Sequence, residues 1–140
     1  MKNTMLLPAL MLLLPLASTA QVYVDPGTTA ALYSYAKDLE NGQEKIYYKD
    51  GKILRIVNLK NGKENGDVID YDPNGRIKNK AHFIDGELNG EVISYSENGN
   101  IIEKVFMKGK LLNGDAFAYY PNGQLAQKGY YKNGLGQGEY

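Results

Sequence analysis

Cysteine is absent from the 140 residues, which excludes disulfides, thiolate metal sites and a cysteine nucleophile together. Tryptophan is absent too, phenylalanine occurs three times and histidine once, so twelve tyrosines carry most of the aromatic content. Tyrosine suits surfaces that are apolar on the ring and wet at the hydroxyl. Neither sign of charge prevails: Lys plus Arg and Asp plus Glu number 16 each, which leaves no basic footprint for nucleic acid or for an anionic membrane. Stability must therefore come from packing and backbone pairing.

The N-terminal apolar run, Met5 to Leu16, is shorter than the roughly 20 residues that a spanning helix needs. With Lys2 before it and Ser18-Thr19-Ala20 after it, residues 1–20 read as a cleavable secretory signal. No cysteine follows the run, so no lipid anchor is expected, and the mature chain begins near Gln21 in a periplasm or outside the cell. From Gln21 to Gly42 the pattern changes to a helical one. Asp25-Pro26 suits an N-cap and first helical position, Leu32, Tyr35, Ala36 and Leu39 form one stripe, and Asn41-Gly42 is a stop. A helix over Pro26 to Glu40 is expected to cap the first strand edge. A rival reading makes the segment a degraded repeat, because Tyr23, Gly27 and Gly42 lie one period before Tyr47, Gly51 and Gly66.

That period organises the rest of the chain. Gly51, Gly75, Gly99 and Gly123 are each 24 residues apart, as are Gly66, Gly90, Gly114 and Gly138, and as are Tyr47, Tyr71, Tyr95 and Tyr119. A fixed step of this length marks a repeat architecture. Asp72-Pro73-Asn74-Gly75 has the residues of a type I turn followed by a left-handed glycine, which closes a three-residue hairpin with a G1 bulge. Ser96 to Gly99, Tyr120 to Gly123 and, more loosely, Tyr48 to Gly51 repeat it.

Apolar residues in the strands sit at odd numbers: Ile53, Val57, Leu59, Ile69, Tyr71, Ile77, Ala81, Phe83, Ile93, Tyr95, Ile101, Val105, Met107, Phe117, Tyr119, Leu125 and Tyr131. If all share one face, both connections of each repeat must be odd loops. That sets Tyr71 against Ile77 and makes the connections bearing Gly62 and Gly66, Gly86 and Gly90, and Gly134 and Gly138 about five residues long. Lys110 stands where the third repeat should have its glycine, with Gly109 one place early, so a distorted loop is expected there. The predicted fold is mainly β: an antiparallel meander of eight or nine short strands with a 24-residue period, one apolar face and one polar face, and one N-terminal helix.

The phrases Tyr119-Tyr120-Pro121-Asn122-Gly123-Gln124-Leu125, Tyr131 to Gly134 and Gly138-Glu139-Tyr140 resemble the MORN-repeat variant of bacterial YwqK-family antitoxins. The resemblance covers about two thirds of the chain. It implies a MORN-like single-layer sheet of hairpins used for protein contacts, with lipid binding proposed for ordinary MORN repeats. A secretion signal departs from a cytoplasmic antitoxin.

Few residues suggest chemistry. His82 is alone, on a strand, without a positioned partner or clustered ligands. Asp67, Glu91, Asp115 and Glu139 recur after the loop glycine, either as a carboxylate ladder for calcium or a basic partner, or as solvated residues that discourage edge association. They lack the dense spacing of a calcium loop. The tyrosine column Tyr47, Tyr71, Tyr95 and Tyr119 is either a recognition surface or the core row of the sheet, and Tyr48, Tyr120 and Tyr130 are the better contact candidates.

Three segments follow: signal 1–20, helical cap 21–45 and repeat domain 46–140. A single layer leaves apolar face uncovered unless it curls, which points to docking of another protein. The expected function is a secreted, non-enzymatic protein that binds another protein through its sheet face. No cofactor, metal or nucleic acid is expected. Alternatives are an antitoxin or immunity-like inhibitor of a toxin, and a cell-envelope scaffold that binds lipid or glycan. The sheet edge could also pair with a second copy.

Overall fold

The computed structural model describes residues 40–137, so the signal and most of the expected cap helix lie outside the described residues. Nine strands form one antiparallel sheet in which each lies beside its sequence neighbours, the meander that the repeats imply. They are β1 (Gly42–Tyr47), β2 (Ile53–Lys60), β3 (Lys63–Tyr71), β4 (Ile77–Ile84), β5 (Glu87–Tyr95), β6 (Ile101–Lys108), β7 (Leu111–Tyr119), β8 (Leu125–Lys132) and β9 (Leu135–Gln137). Residues 42–45, expected in the cap segment, are strand: Asn41-Gly42 opens the first hairpin.

The connection after β3 is the three-residue hairpin that its composition calls for. Gly75 N donates to Asp72 O at 2.9 Å, Asp72 N donates to Arg76 O at 2.8 Å, and Gly75 has φ +82. The Asp72 carboxylate accepts from Asn74 N at 2.8 Å and Arg76 N at 3.0 Å, which explains aspartate at the first position. Just beyond this turn the register slips. Tyr71 faces Ile77, but Asp70 faces Asn79, so Lys78 is bulged out, and the same shift follows the other three turns of this kind.

That bulge overturns the single apolar face. One extra residue on one strand inverts parity, so Val68 lies opposite Ala81, which in turn lies opposite Val92, and Ile69 points the other way. The odd-numbered apolar residues are therefore split. Val57, Ala81, Phe83, Val105, Met107 and Tyr131 join even-numbered Val68, Val92 and Ala116 in one buried cluster, with Leu59, Leu88 and Leu112 packed against it. Ile69, Tyr71, Ile93, Tyr95, Phe117 and Tyr119 stand on the opposite, half-exposed face.

The second connection is also shorter than expected. Lys60 pairs with Lys63, Ile84 with Glu87 and Lys132 with Leu135, leaving two-residue loops in which both residues have positive φ: Asn61 and Gly62, Asp85 and Gly86, Asn133 and Gly134. These are the dihedral signs of a type I′ turn. The third repeat keeps the same length, since Lys108 pairs with Leu111. Among the two central residues only Gly109 has positive φ, at +59, the arrangement of a type II′ turn, so moving glycine forward changes the turn type and not the register.

The buried face is dry at its centre, with Val57, Val68 and Ala116 at 0 % exposure. Each bulge adds right-handed twist, the physical means by which one layer shelters a face with its own side chains. A polar row, Arg55, Asp70, Asn79, Ser94 and Glu103, crosses that same face. Arg55 Nε and Nη2 donate to the two Asp70 carboxylate oxygens at 2.5 and 3.0 Å. Glu64 and Glu103 are buried with one carboxylate oxygen each lacking a hydrogen-bond partner. Burial pushes the Glu64 carboxyl up to about 7, with Arg55 opposing and Asp70 adding to the shift, and burial raises Glu103 as well.

Candidate functional site

The outer face is built from two rows of side chains that the register aligns across the sheet. One runs Lys45, Ile56, Ile69, Lys80, Ile93, Lys104, Phe117, Lys128. Its neighbour includes Asn58, Asp67, His82, Glu91, Phe106, Asp115 and Tyr130. Lysines of the first row reach acids of the second: Lys80 to Asp67 at 3.0 Å, Lys104 to Glu91 at 2.5 Å and Lys128 to Asp115 at 3.9 Å. These carboxylates stand two strands apart, about 9.5 Å, too far to share one cation. Asp67, Glu91 and Asp115 of the acidic ladder are thus separate surface ion pairs, Glu139 lies outside the described residues, and among the described residues no group of three or more ligating side chains could hold a metal.

His82 lies on the outer face, its Nδ1 2.8 Å from Asp67 Oδ1. That hydrogen bond is the main reason the Asp67 carboxyl is held below its usual range, with Lys80 second. The pair is partly exposed and ties β3 to β4 on the surface.

The tyrosines divide by position. Tyr48 is buried and its hydroxyl donates to Tyr71 O at 2.8 Å, which makes it a pin between hairpins and not the contact residue expected. Burial raises the pKa of that hydroxyl, and nearby Asp72, Asp70 and Asp50 raise it further. Tyr120 and Tyr130 are exposed, Tyr120 at the last type I turn and Tyr130 opposite Asp115 on the outer face. Tyr71, Tyr95 and Tyr119 are half-buried on the outer face and do not form a core row; Tyr131 alone of the singled-out tyrosines in β8 enters the dry cluster.

Phenylalanines, which the sequence did not single out as contacts, dominate the C-terminal end of this face. Phe106 is 39 % exposed and lies over Gly114, where an added Cβ would sit 3.0 Å from Phe106 Cβ. The glycine is needed on two counts, close approach and a φ of +142. Phe117 and Tyr119 stack with centroids 6.3 Å apart, and Lys128 Nζ stands 5.3 Å from the Phe117 centroid. The signal was present in the period: Asn58, His82, Phe106 and Tyr130 are successive copies of one position, as are Ile69, Ile93 and Phe117.

Side chains also stitch one repeat to the next along both rims. Lys52 Nζ donates to Pro73 O, Arg76 Nη1 to Glu97 O and Asn100 Nδ2 to Pro121 O, all between 2.7 and 2.9 Å. At the other rim Asn61 N, Asp85 N and Asn133 N donate to the side-chain oxygens of Asn41, Asn65 and Asn113. The rims are thus occupied by scaffold contacts, and the exposed rings of Tyr47, Phe106 and Tyr130 stand on the outer face.

Four such stitched units coincide with four matches to the MORN repeat variant, at residues 40–61, 64–85, 88–108 and 112–133, which together span more than half of the chain. The chain belongs to the MORN repeat variant family. The first matched repeat starts at residue 40, in agreement with a β1 that opens at Gly42. No curated protein and no solved structure matches the chain. Membership of this MORN family accounts for the period and for the turns, while side chains of both faces vary from repeat to repeat: Asn58, His82, Phe106 and Tyr130 on the outer face, Leu59, Phe83, Met107 and Tyr131 on the dry one.

Proposed function

We propose that this protein is a non-catalytic, exported binding module that docks another protein on the outer face of its sheet. One observation carries the reading: the outer face keeps tyrosine, isoleucine and phenylalanine half-exposed between lysines at fixed spacing, while the apolar residues of the other face are sealed. Aromatic side chains of this kind are enriched where proteins meet, because they bring contact area at small entropy cost. The apparent signal over residues 1–20 supports export to a periplasm or beyond. The likeness of Tyr119 to Leu125 to the YwqK antitoxin group would make the partner a toxin met outside the cytoplasm.

The test is affinity capture from envelope extract with the exported chain, comparing the parent with a Phe106→Ser/Tyr130→Ser variant. One protein held in stoichiometric amount by the parent and lost by the variant is expected. Equal retention by both chains, or retention of lipid or wall material alone, would contradict docking on this face.

A further inference from the structure

Resting on that docking reading, we propose that the outer face of the last two hairpins is a cationic aromatic platform for an acidic, extended segment of the partner protein. Two strands write the same phrase on this face: Lys104, Phe106 and Lys108 on β6, and Lys128, Tyr130 and Lys132 on β8. Between them β7 presents Asp115, Phe117 and Tyr119. Alternate residues of a strand share a face, so lysines four apart stand about 13 Å from each other, with the aromatic ring midway. Two strands across, the distance from β6 to β8 is about 9.5 Å. Four lysines are therefore rooted at the corners of a plate whose middle is Phe106, Phe117 and Tyr130.

The charge on this plate is not balanced from within. Asp115 is the one carboxylate that β6, β7 and β8 offer on the outer face, and it lies 3.9 Å from Lys128. Lys104 is matched by Glu91 of β5, whereas Lys108 and Lys132 make no ion pair among the described residues. Earlier hairpins lack this combination. The equivalent positions read Ile56, Asn58 and Lys60 on β2 and Lys80, His82 and Ile84 on β4, and Lys80 is closed by Asp67 at 3.0 Å. At these equivalent positions only β6 and β8 flank an exposed ring with two lysines, although Tyr47 of β1 is exposed as well.

The same spacing defines what fits. An extended peptide lying along β6 or β8 has its own same-face side chains at alternate residues, so acids four apart meet the lysine pair and an apolar residue midway falls on Phe106 or Tyr130. The complementary phrase is acid-x-apolar-x-acid. Charge complementarity supplies steering and register, and the ring contact supplies buried area. Exposed Leu111 and Leu135, paired with Lys108 and Lys132, extend the apolar patch past the end of the plate.

The experiment measures binding of the full exported chain to a fluorescent peptide with glutamates four apart and a phenylalanine midway, by anisotropy at low and moderate salt. Binding is expected to weaken at least tenfold when the glutamates are replaced by glutamine, and at least tenfold in a Lys108→Gln/Lys132→Gln variant. These two lysines are exposed and make no ion pair among the described residues, so the variant should keep the parent's circular dichroism. Asp115→Asn, which removes the plate's own carboxylate, is expected to tighten binding about threefold, an effect that unfolding could not mimic. Undiminished binding of the glutamine peptide, an unaffected lysine variant, or stronger binding of hyaluronan at equal charge would each overturn the proposal. A partner captured through the outer face but retained by Lys108→Gln/Lys132→Gln would sink this inference and leave the docking reading standing.

Discussion

The two faces of the sheet are carried by the same strands, one residue out of step, and they treat charge in opposite ways. On the outer face each acid of the repeat meets a lysine in solvent, and such pairs are worth at most about 1 kcal/mol. On the dry face charge is enclosed: Arg55 grips Asp70 with two hydrogen bonds, and Glu64 and Glu103 are enclosed with a carboxylate oxygen unmatched. Stability is therefore concentrated on the dry side. The outer side can change from Asn58 to His82 to Phe106 to Tyr130 without disturbing the hairpins.

The largest expected effect separates two phenylalanines. Phe83→Ala on the dry face should cost about 4 kcal/mol in urea unfolding, and Phe106→Ala on the outer face about 1 kcal/mol. Similar costs for the two would mean that the faces are not distinct. Next comes the buried pair: Asp70→Ala leaves Arg55 enclosed without its bidentate partner and should cost about 3 kcal/mol, whereas Asp67→Ala should cost under about 1 kcal/mol.

Titration should divide the faces by sign. The Glu64 carboxyl, ordinarily near 4.5 and raised to about 7, holds its proton more tightly in the folded chain. Below about pH 4.5 both states are protonated and nothing is lost; as pH rises from there through about 7 stability falls, by about 3 kcal/mol, and then levels. Asp67, lowered by His82 and Lys80, acts oppositely, and its contribution is lost as pH falls below the usual carboxylate range. Glu64→Gln should flatten the fall and leave the chain more stable than the parent at pH 8, as followed by thermal unfolding. A parent whose stability rises from pH 5 to 8 would break this part of the comparison. Smallest of all, Lys104→Gln should change unfolding by about 0.5 kcal/mol and lose even that in 1 M salt.

Much of this architecture is legible in the 24-residue step. Asp72-Pro73-Asn74-Gly75 announces its turn because aspartate, proline and glycine each satisfy a separate backbone requirement there. The faces are harder to read. Lys78, the residue bulged opposite Tyr71, looks like any strand lysine, and nothing local distinguishes it, yet it inverts every parity beyond it. The Asn61-Gly62 pair does signal a two-residue turn, but a reading committed to one apolar face must discard it. Tyr48 illustrates the same difficulty: beside a turn it looks available, and only the neighbouring hairpin, 23 residues on, supplies the carbonyl that holds its hydroxyl.

The most direct measurement uses the absence of cysteine. Single cysteines introduced as neighbouring pairs, Val68→Cys against Ile69→Cys, Val92→Cys against Ile93→Cys and Ala116→Cys against Phe117→Cys, can be timed for maleimide labelling under native conditions. The two-faced sheet requires fast labelling at 69, 93 and 117 and protection at 68, 92 and 116. Protection at 69, 93 and 117 would return the chain to a single odd-numbered core and contradict the division of labour between its faces.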